Sequence, residues 1–474
     1  MMKKLINLIA IIAATALVLA VVFVFLIINT PKKATESVIF KTLAPTDVSC
    51  VKVSNSFGSF EVSTEAEGYI LSDIPAELVD LDNFVAFMTQ CGAISALKRV
   101  TSKPSDLSIY GLDEPVATAS IIYTDNSELL LHIGNADLVS GNYYLQVDKE
   151  EDVYLLSASI AAYFLCDKKQ YINHYVTPEL ADGNVLAAIL DVKFSGGELK
   201  EPITIESVSA GDEETKLAAL SFGAVTHLVR GRGVYELDQT YGAQILGSIL
   251  GIKAQEVVGY GLSEEDIAAF GFAEPFMKVE YDFKNNEGIL EHNILSLIKK
   301  SDNSFLAHLL GSSAVYEIDR PAFVDIQYEK LMLRWFLSPL LLDLSGLTIA
   351  TQTQTLEFAI SRDENNNQQI TLNGEDMDIN LFQSFYRLVT SASASDGEYL
   401  SSTTADSEPL MTIIYHYINT AKAEDVMKLY KGTARRVYAE VNGVIEFDMK
   451  ESFYTYMLNA CENMFLGKMI DENW

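Results

Sequence analysis

The sequence predicts an α+β protein, in which an N-terminal transmembrane helix precedes tandem modules of mixed or antiparallel sheet with helices packed on one face. Three observations lead to this fold class. An apolar run lies near the N-terminus, a ten-residue block occurs twice, and segments with the period-two alternation of strands lie between segments with helical spacing. Together they indicate an anchor followed by repeated sheet-and-helix units.

The apolar run near the N-terminus extends from Leu5 to Ile28. As a helix rising about 1.5 Å per residue it would be roughly 36 Å long, enough to cross a hydrocarbon core of about 30 Å. A cleavable signal peptide has a shorter apolar region, so an uncleaved anchor is favoured. We therefore expect residues 1–33 to form a cytoplasmic tip and a transmembrane anchor. The flanking lysines balance, and the short N-terminal tail places residues 34–474 outside the cytoplasm, as in a single-pass protein of the cell membrane.

The chain is strongly acidic. It contains 34 Lys and Arg against 65 Asp and Glu, a formal net charge of −31. Such a surface repels nucleic acid, which excludes DNA and RNA as partners. The acids are dispersed along the chain, so a solvated surface is a better interpretation than a cation store. At about 150 residues per domain, the part after the anchor has room for roughly three domains.

The first module is predicted to span residues 34–178. It begins with short strands joined by a hairpin signal at 55–58. Apolar residues at spacings of three or four then predict a helix that ends near Lys98. A closing helix is expected over about 157–171. The predicted strands are 48–54, 60–63, 69–71, 116–123, 129–133, 143–147 and 153–156.

The repeated block comprises Asp106–Pro115 and Asp266–Pro275, which we call the first and second corner blocks. Both keep an aromatic residue before Gly, an apolar residue after it and a final Glu-Pro. Gly permits a tight bend, and Pro favours extended geometry in the residue before it, so we interpret each block as a structural corner. In the alternative interpretation, three glutamates point into a shared site. These are Glu114 and Glu274 of the two blocks and Glu408 of a degraded third copy. The residues predicted to form an interaction or structural motif are Tyr110, Gly111, Glu114, Pro115, Phe270, Gly271, Glu274 and Pro275.

The second module is predicted to span residues 179–340, and a divergent third module residues 341–474. Ala314–Ile318 matches Asp152–Leu156, and both segments lead into a predicted helix. The third module lacks the aromatic-Gly-apolar element of the corner blocks. Its predicted elements are a helix at about 379–389, strands at 411–417 and 426–430, a hairpin at 442–443 and a closing helix that begins near 450.

These features resemble a bacterial family called domain of unknown function 4340. The resemblance rests on the N-terminal apolar run, the strand pair with its hairpin, the helix that follows, the first corner block, the Ile133-Gly134 step and the dipeptides Tyr143-Tyr144 and Val153-Tyr154. It covers roughly residues 48–325. Members of that family are envelope proteins often encoded beside an export-type ABC transporter and an auxiliary protein. The resemblance therefore implies an extracytoplasmic transporter accessory, and it carries over no catalytic residues.

No residue pattern indicates a catalytic centre, so we expect a protein that is not an enzyme and has no cofactor and no metal site. Ser296–Lys299, followed by Ser301–Asn303, has the residue types of penicillin-recognising enzymes, but both lie on one strand and its turn rather than at the start of a helix. Residues 363–367 begin like a calcium loop but lack the Gly and Glu that complete it. The six histidines have no helical pairing, which gives zinc no support.

Two further groups of residues leave alternatives open. Arg230 and Arg232 form a rare basic spot, which either binds an anion or neutralises neighbouring acids. The four cysteines have no metal-like spacing, so we expect free core thiols, and sequence alone cannot pair them if disulfides form. These cysteines are Cys50, Cys91, Cys166 and Cys461.

The leading functional hypothesis is a membrane-anchored extracytoplasmic binding or scaffold protein, an accessory of an ABC-type transporter or another envelope complex. Its expected partners are the membrane, through the N-terminal helix, and an envelope protein such as a transporter permease or auxiliary subunit. Two alternatives stay open. One is a cell-wall polymer hydrolase that uses paired carboxylates such as Glu114 or Glu274. The other is a solute-binding component with a single deep pocket between modules.

Overall fold

A computed structural model describes residues 37–65, 68–148, 150–181, 183–364, 368–395, 400, 405, 407–472 and 474. The chain divides into two compact units at Asn173 and His174. Unit 1 contains one large sheet, and unit 2 contains two. This division lies near one predicted module boundary, the one between residues 178 and 179. The module boundaries given above therefore remain predictions.

The α+β prediction is wrong, because the described part of the chain is built mostly from β-strands. It contains 27 strands, and every described strand pair is antiparallel, which agrees with the antiparallel form of the predicted sheets and not with the mixed form. The described helices are short. The longest, Glu451–Phe465, has 15 residues. Antiparallel ladders therefore supply most of the backbone hydrogen bonding, and the helices only cover parts of the sheets.

The predicted membrane anchor is not supported. No helix in the described part of the chain is long and apolar enough to cross a membrane. Even the 15-residue helix Glu451–Phe465 would reach only about 23 Å, less than the hydrocarbon thickness of about 30 Å. The run from Leu5 to Ile28, from which the single-pass location was predicted, lies outside the described residues. The predicted location as a single-pass membrane protein is therefore not supported by the structure.

Within the described residues, unit 1 contains an eight-stranded sheet, two helices and a small two-stranded sheet. The large sheet has the order β4-β3-β2-β7-β8-β9-β10-β6. Aromatic side chains, among them Phe87 and Tyr171 with ring centroids 5.2 Å apart, fill the space between the sheet and the helices. The strands are β1 Val38–Ile39, β2 Val48–Asn55, β3 Gly58–Glu65, β4 Gly68–Leu71, β5 Ser95–Ala96, β6 Lys98–Thr101, β7 Ala117–Tyr123, β8 Glu128–Ala136, β9 Tyr143–Val147 and β10 Val153–Leu156, and the helices are α1 Leu81–Gly92 and α2 Ala158–Leu165.

The second large sheet, in unit 2, follows the same plan with one more strand at its β14 edge. Its order is β14-β13-β12-β11-β16-β17-β18-β19-β15, so a meander is again closed at its far edge by a strand from earlier in the chain. The strands are β11 Ile189–Gly196, β12 Ile203–Ser207, β13 His227–Arg230, β14 Val234–Glu236, β15 Glu256–Gly259, β16 Met277–Lys284, β17 Leu290–Lys299, β18 Ser304–Leu309 and β19 Val315–Asp319. The helices are α3 Val185–Ala188, α4 Glu213–Ala219, α5 Gln239–Gly247, α6 Glu264–Ile267 and α7 Tyr328–Leu331.

The third large sheet has the order β23-β22-β21-β20-β24-β25-β26-β27. It shares one detail with the other two. The first central strand of each sheet carries a register shift near its start, between Val48 and Cys50, Ile189 and Asp191, and Leu344 and Gly346. The strands are β20 Leu344–Thr351, β21 Thr355–Arg362, β22 Gln368–Leu372, β23 Glu375–Asp376, β24 Met411–Tyr417, β25 Glu424–Lys431, β26 Arg436–Val441 and β27 Val444–Lys450, and the helices are α8 Ile379–Thr390 and α9 Glu451–Phe465.

Buried carboxylates join the segments of the second and third sheets inside unit 2. Glu446 on β27 is fully buried and accepts hydrogen bonds from the Gly233 amide at 3.0 Å and the Tyr328 hydroxyl at 3.2 Å. Asp425 on β25 is 2% exposed and accepts one from the Ser221 hydroxyl at 2.8 Å. Since a buried charge is costly unless it is hydrogen-bonded, these contacts require the two segments to pack together.

Candidate functional site

The first corner block is a tight turn that packs onto β8. Ser108–Tyr110 forms one 3-10 turn, and Gly111 follows it with φ of +66°. A Cβ at Gly111 would lie 2.5 Å from the Asn135 side chain, and one at Gly134 would lie 2.2 Å from the Tyr110 carbonyl oxygen. Both positions therefore need glycine, one for its backbone angle and both for the close approach. The Ile133-Gly134 step is thus the strand surface that receives the corner.

The second corner block bends at the equivalent glycine with a different local helix. α6 begins with a capping box, in which the Ser263 hydroxyl and the Asp266 carboxylate satisfy each other's backbone amides. A wider helical turn over Ala268–Phe272 follows, and Gly271 has φ of +101°. A Cβ there would meet Ile298 at an ordinary 3.5 Å. The bend is shared by the two blocks, and the tight contact is not.

The glutamates of the blocks do not form a paired acid site. Glu114, Glu274 and Glu408 are all exposed to solvent. Glu274 precedes β16 in the second sheet and Glu408 precedes β24 in the third, so each lies at the entry to its own sheet. Pro115 and Pro275 are half-buried beside them. Exposed carboxylates without a facing partner lack the geometry of a glycosidase pair.

A surface that the sequence reasoning missed lies next to the first corner. The loop between β8 and β9 presents Leu138 and Val139, whose side chains are 101% and 96% exposed. We call these two residues the apolar tip. Ile109, on the turn of the first corner block, is another exposed aliphatic residue, at 69%. Burying an aliphatic side chain is worth about 1.5–3 kcal/mol, so these two adjacent residues leave apolar area that contact with another molecule would cover.

The loop that carries the apolar tip is held by several hydrogen bonds to Asp137. Its carboxylate accepts from the Ser140 amide at 2.9 Å and the Ser140 hydroxyl at 2.6 Å. Its carbonyl oxygen accepts from the Gly141 amide at 2.8 Å, and its own amide donates to the Asn142 carbonyl at 2.6 Å. The Ser140 hydroxyl and amide hold the pKa of Asp137 below its usual value. The exposed aliphatics are therefore presented in a defined shape.

Two tyrosines connect this loop to the first corner block. The Tyr144 hydroxyl donates to Asp137 at 3.1 Å, and the Tyr144 ring meets the Tyr110 ring edge to face at 5.0 Å between centroids. Burial, followed by Asp137, raises the pKa of Tyr144, which keeps the phenol protonated as a donor. The predicted motif residue Tyr110 thus supports the tip. The sequence contains a signal for this surface. Leu138 and Val139 lie between Asp137 and the loop residues Ser-Gly-Asn, at positions where loops usually have polar residues.

The closest arrangement to a paired acid site lies on the polar face of the second sheet. Asp191 on β11 is directly opposite Glu206 on β12 and Asp282 on β16. Burial, followed by the charges of Glu206, Asp282 and Glu280, raises the pKa of Asp191 to about 6. Two of these acids have fixed partners, since Arg230 lies 2.7 Å from Glu206 and His292 2.6 Å from Asp282. None of the three opposed acids lines any of the five main grooves of the described chain.

The other chemical candidates are accounted for by structural contacts. Arg230 also lies 3.6 Å from Glu214, and Arg232 donates to the Leu400 carbonyl at 3.3 Å, so the basic spot has protein partners. Ser296 and Lys299 lie on β17, and Lys299 pairs with Asp302 at 2.8 Å. The four cysteines are free thiols, two of them buried. No cluster of three or more metal-ligating side chains occurs within the described ranges, and residues 365–367 of the calcium-like segment lie outside them.

The grooves do not correspond to a single deep pocket between modules. The largest of the five has a volume of about 810 Å³ and lies entirely within the third segment, by which we mean the part of unit 2 that carries the third sheet, beside β22, β23, α8 and α9. Comparison with protein-family models, curated proteins and solved structures finds no match for this chain. The resemblance to domain of unknown function 4340 therefore stays an expectation, and any function must be argued from the chain's own residues.

Proposed function

We propose that this chain is a non-catalytic binding or scaffold protein that contacts a protein partner through the apolar tip. The observation that carries the proposal is the almost complete exposure of Leu138 and Val139 on a loop held by hydrogen bonds to Asp137. Two adjacent aliphatic side chains left in solvent on an ordered loop support the proposal, because contiguous exposed apolar surface marks sites of protein contact.

The fixed shape of the loop adds to the argument. Ordering a flexible segment on binding costs free energy, and a loop that is already ordered avoids much of that cost. Both residues of the tip can then be buried at about 1.5–3 kcal/mol each. The surrounding surface is acidic, with exposed Asp113 and Glu114 in the adjoining corner, which disfavours anionic lipid as the contact. A protein pocket with a neutral or basic rim fits this chemistry best.

The resemblance described above suggests which partners to examine first. Members of domain of unknown function 4340 are encoded beside export-type transporters, so a transporter permease or its auxiliary subunit is the first candidate. A partner from another envelope complex is the second. In either case the role of this chain would be to hold or position the partner, without chemistry of its own.

Site-specific photo-crosslinking tests the proposal. A photoreactive amino acid replaces Val139 in the full chain, in cells that naturally make this protein, and crosslinked products are identified by mass spectrometry. The matched control carries the same amino acid at Ile289, which is 55% exposed on the hairpin between β16 and β17. We expect a discrete partner from position 139 that is absent from position 289, and its loss when Leu138 is changed to Ser. Equal products from the two positions would overturn the proposal.

A further inference from the structure

The third segment contains a groove that the proposed function does not use. Its walls are the β22–β23 hairpin, the first turn of α8 and the chain that follows α9, and its volume is about 810 Å³. All of its lining residues lie in unit 2, between Leu372 and Ile470. The apolar tip belongs to the other unit, unit 1.

The floor and one side of this groove are apolar. Met464 and Ile470 are buried there, and Leu381 of α8 is half-buried. Two large side chains at its edge remain in solvent, Phe465 at 50% exposed and Met469 at 89%. Methionine is flexible and polarisable, so it adapts to the shape of an apolar partner. The groove therefore offers apolar area that the chain itself does not cover.

The opposite rim is acidic. Glu375 and Asp376 form the short edge strand β23 and are both exposed. Neither makes an ion pair with another described residue. Asp378 lies beside them and caps α8, accepting from the Asn380 amide at 2.9 Å and the Leu381 amide at 3.0 Å. None of the described residues that line the groove is Lys or Arg. The groove thus combines an apolar floor with acidic side chains that have no ion-pair partner among the described residues.

We infer that this groove binds a cationic amphipathic segment of a partner protein, with apolar side chains against Phe465 and Met469 and Lys or Arg toward Glu375 and Asp376. Charge complementarity decides the occupant, because an acidic or neutral segment would leave the rim repelled or unpaired. A helix that places its apolar residues on one face matches such a groove, with anchors spaced by three or four positions. The inference goes beyond the proposed function by giving the scaffold a second, separate binding surface.

Fluorescence anisotropy with a synthetic probe tests this inference. The probe is a labelled amphipathic helix of Leu and Lys, about four turns long, titrated with the full chain at about 50 and about 200 mM salt. We expect saturable binding that E375Q/D376N weakens about tenfold and M469S about threefold, with a weaker salt dependence in the first variant. A peptide of the same pattern with Glu in place of Lys should not bind.

Two control variants separate the possible outcomes. E264Q/E265Q removes two exposed acids from the first turn of α6, and L138S/V139S removes the apolar tip. Neither should change the affinity for the Leu/Lys probe by more than about twofold. Equal weakening by E264Q/E265Q and E375Q/D376N would mean general attraction to an acidic surface and would overturn the inference. Equal binding of the Leu/Glu peptide, or no binding of either peptide, would overturn it as well.

Discussion

The first and second sheets place a hairpin loop at the same point of the same topology, yet the two loops have different chemistry. Between β8 and β9 the tip is Leu138-Val139, almost fully exposed. Between β17 and β18 it is Ser301-Asp302-Asn303, where Asp302 pairs with Lys299 at 2.8 Å. A polar loop satisfies itself in water, whereas an aliphatic loop leaves apolar area uncovered. The proposed contact surface therefore lies on one copy of the fold, and the matching loop of the other copy is a solvated turn.

Two glycines at the corner blocks give the largest expected effect, Gly134, against which the first block packs, and Gly271, within the second block. A Cβ at Gly134 would approach the Tyr110 carbonyl oxygen at 2.2 Å, so G134A must displace backbone. We expect it to destabilise unit 1 by about 3 kcal/mol. In the second corner block, a Cβ at Gly271 would lie at an ordinary 3.5 Å from Ile298. G271A should therefore destabilise the protein mainly through its positive φ, by about 1–2 kcal/mol.

Hydrogen–deuterium exchange followed by mass spectrometry measures both changes, because peptides of each unit can be read separately. Faster exchange should appear throughout residues 37–173 in G134A and in the second sheet in G271A. If G271A proved the more damaging, the first corner would not be the tighter of the two.

Exchanging the chemistry of the two loops is the sharpest way to break the comparison. L138S/V139S should reduce capture of the crosslinked partner at least tenfold, since it removes the apolar area of both side chains. The graft S301L/D302V should create a second apolar loop on the second sheet. Thermal unfolding should change little for L138S/V139S, because both side chains are already in solvent.

The graft serves as the control for the exchange. If the partner needs only an exposed Leu-Val pair, the graft restores capture in an L138S/V139S background. If the corner and Tyr144 also contribute to the surface, capture stays low. Undiminished capture by L138S/V139S alone would contradict a binding role for the tip.

The polar faces of the two sheets differ at one matched strand position. The residue after the register shift is Cys50 in the first sheet and Asp191 in the second. Because its folded pKa of about 6 exceeds the ordinary 3.8, Asp191 favours the folded state most at low pH, and this contribution is lost as pH rises through 6. We therefore expect D191N to stabilise unit 2 at pH 7 by on the order of 1–2 kcal/mol, a value discounted for partial exposure.

Urea unfolding at about pH 4, 5, 6 and 7 checks this sign. The difference in free energy of unfolding between D191N and the wild type should grow from near zero at the lowest pH to its full value at the highest. D302N is a control with the opposite expected sign. Lys299 holds the pKa of Asp302 below its usual value, so removing the Asp302 carboxylate should lower the stability at pH 7. A difference for D191N that does not vary with pH would contradict the assignment.

The smallest expected effect comes from the link between corner and loop. Y144F removes the hydrogen bond to Asp137 but keeps the ring contact with Tyr110. We expect a loss of about 0.5–1.5 kcal/mol in the stability of the loop and a two- to threefold reduction in partner capture. Faster amide exchange confined to residues 137–142 would support this role. Y143F, on the neighbouring residue of β9, should leave both measurements unchanged.

Much of the local structure was readable from patterns of apolar residues and turn residues. The strand predicted at 411–417 is Met411–Tyr417, and the helix predicted at about 379–389 is Ile379–Thr390. The hairpin predicted at 442–443 has positive φ at both Asn442 and Gly443. These predictions are confirmed because they depend on contacts between near neighbours in the chain. The predicted α+β class is wrong, because antiparallel strands make up most of the described structure and the described helices are short.

The sequence by itself determined where strands and corners occur, since side-chain alternation and the backbone freedom of Gly111 and Gly271 are local properties. The tertiary structure alone decided which strands pair, so it alone placed Asp191 opposite Glu206 and Asp282. It also decided which aliphatic residues stay in water. Leu131 and Leu138 are the same residue type on one β-hairpin, yet one is fully buried and the other fully exposed. Burial depends on what distant segments cover, and that information is absent from any short stretch of chain.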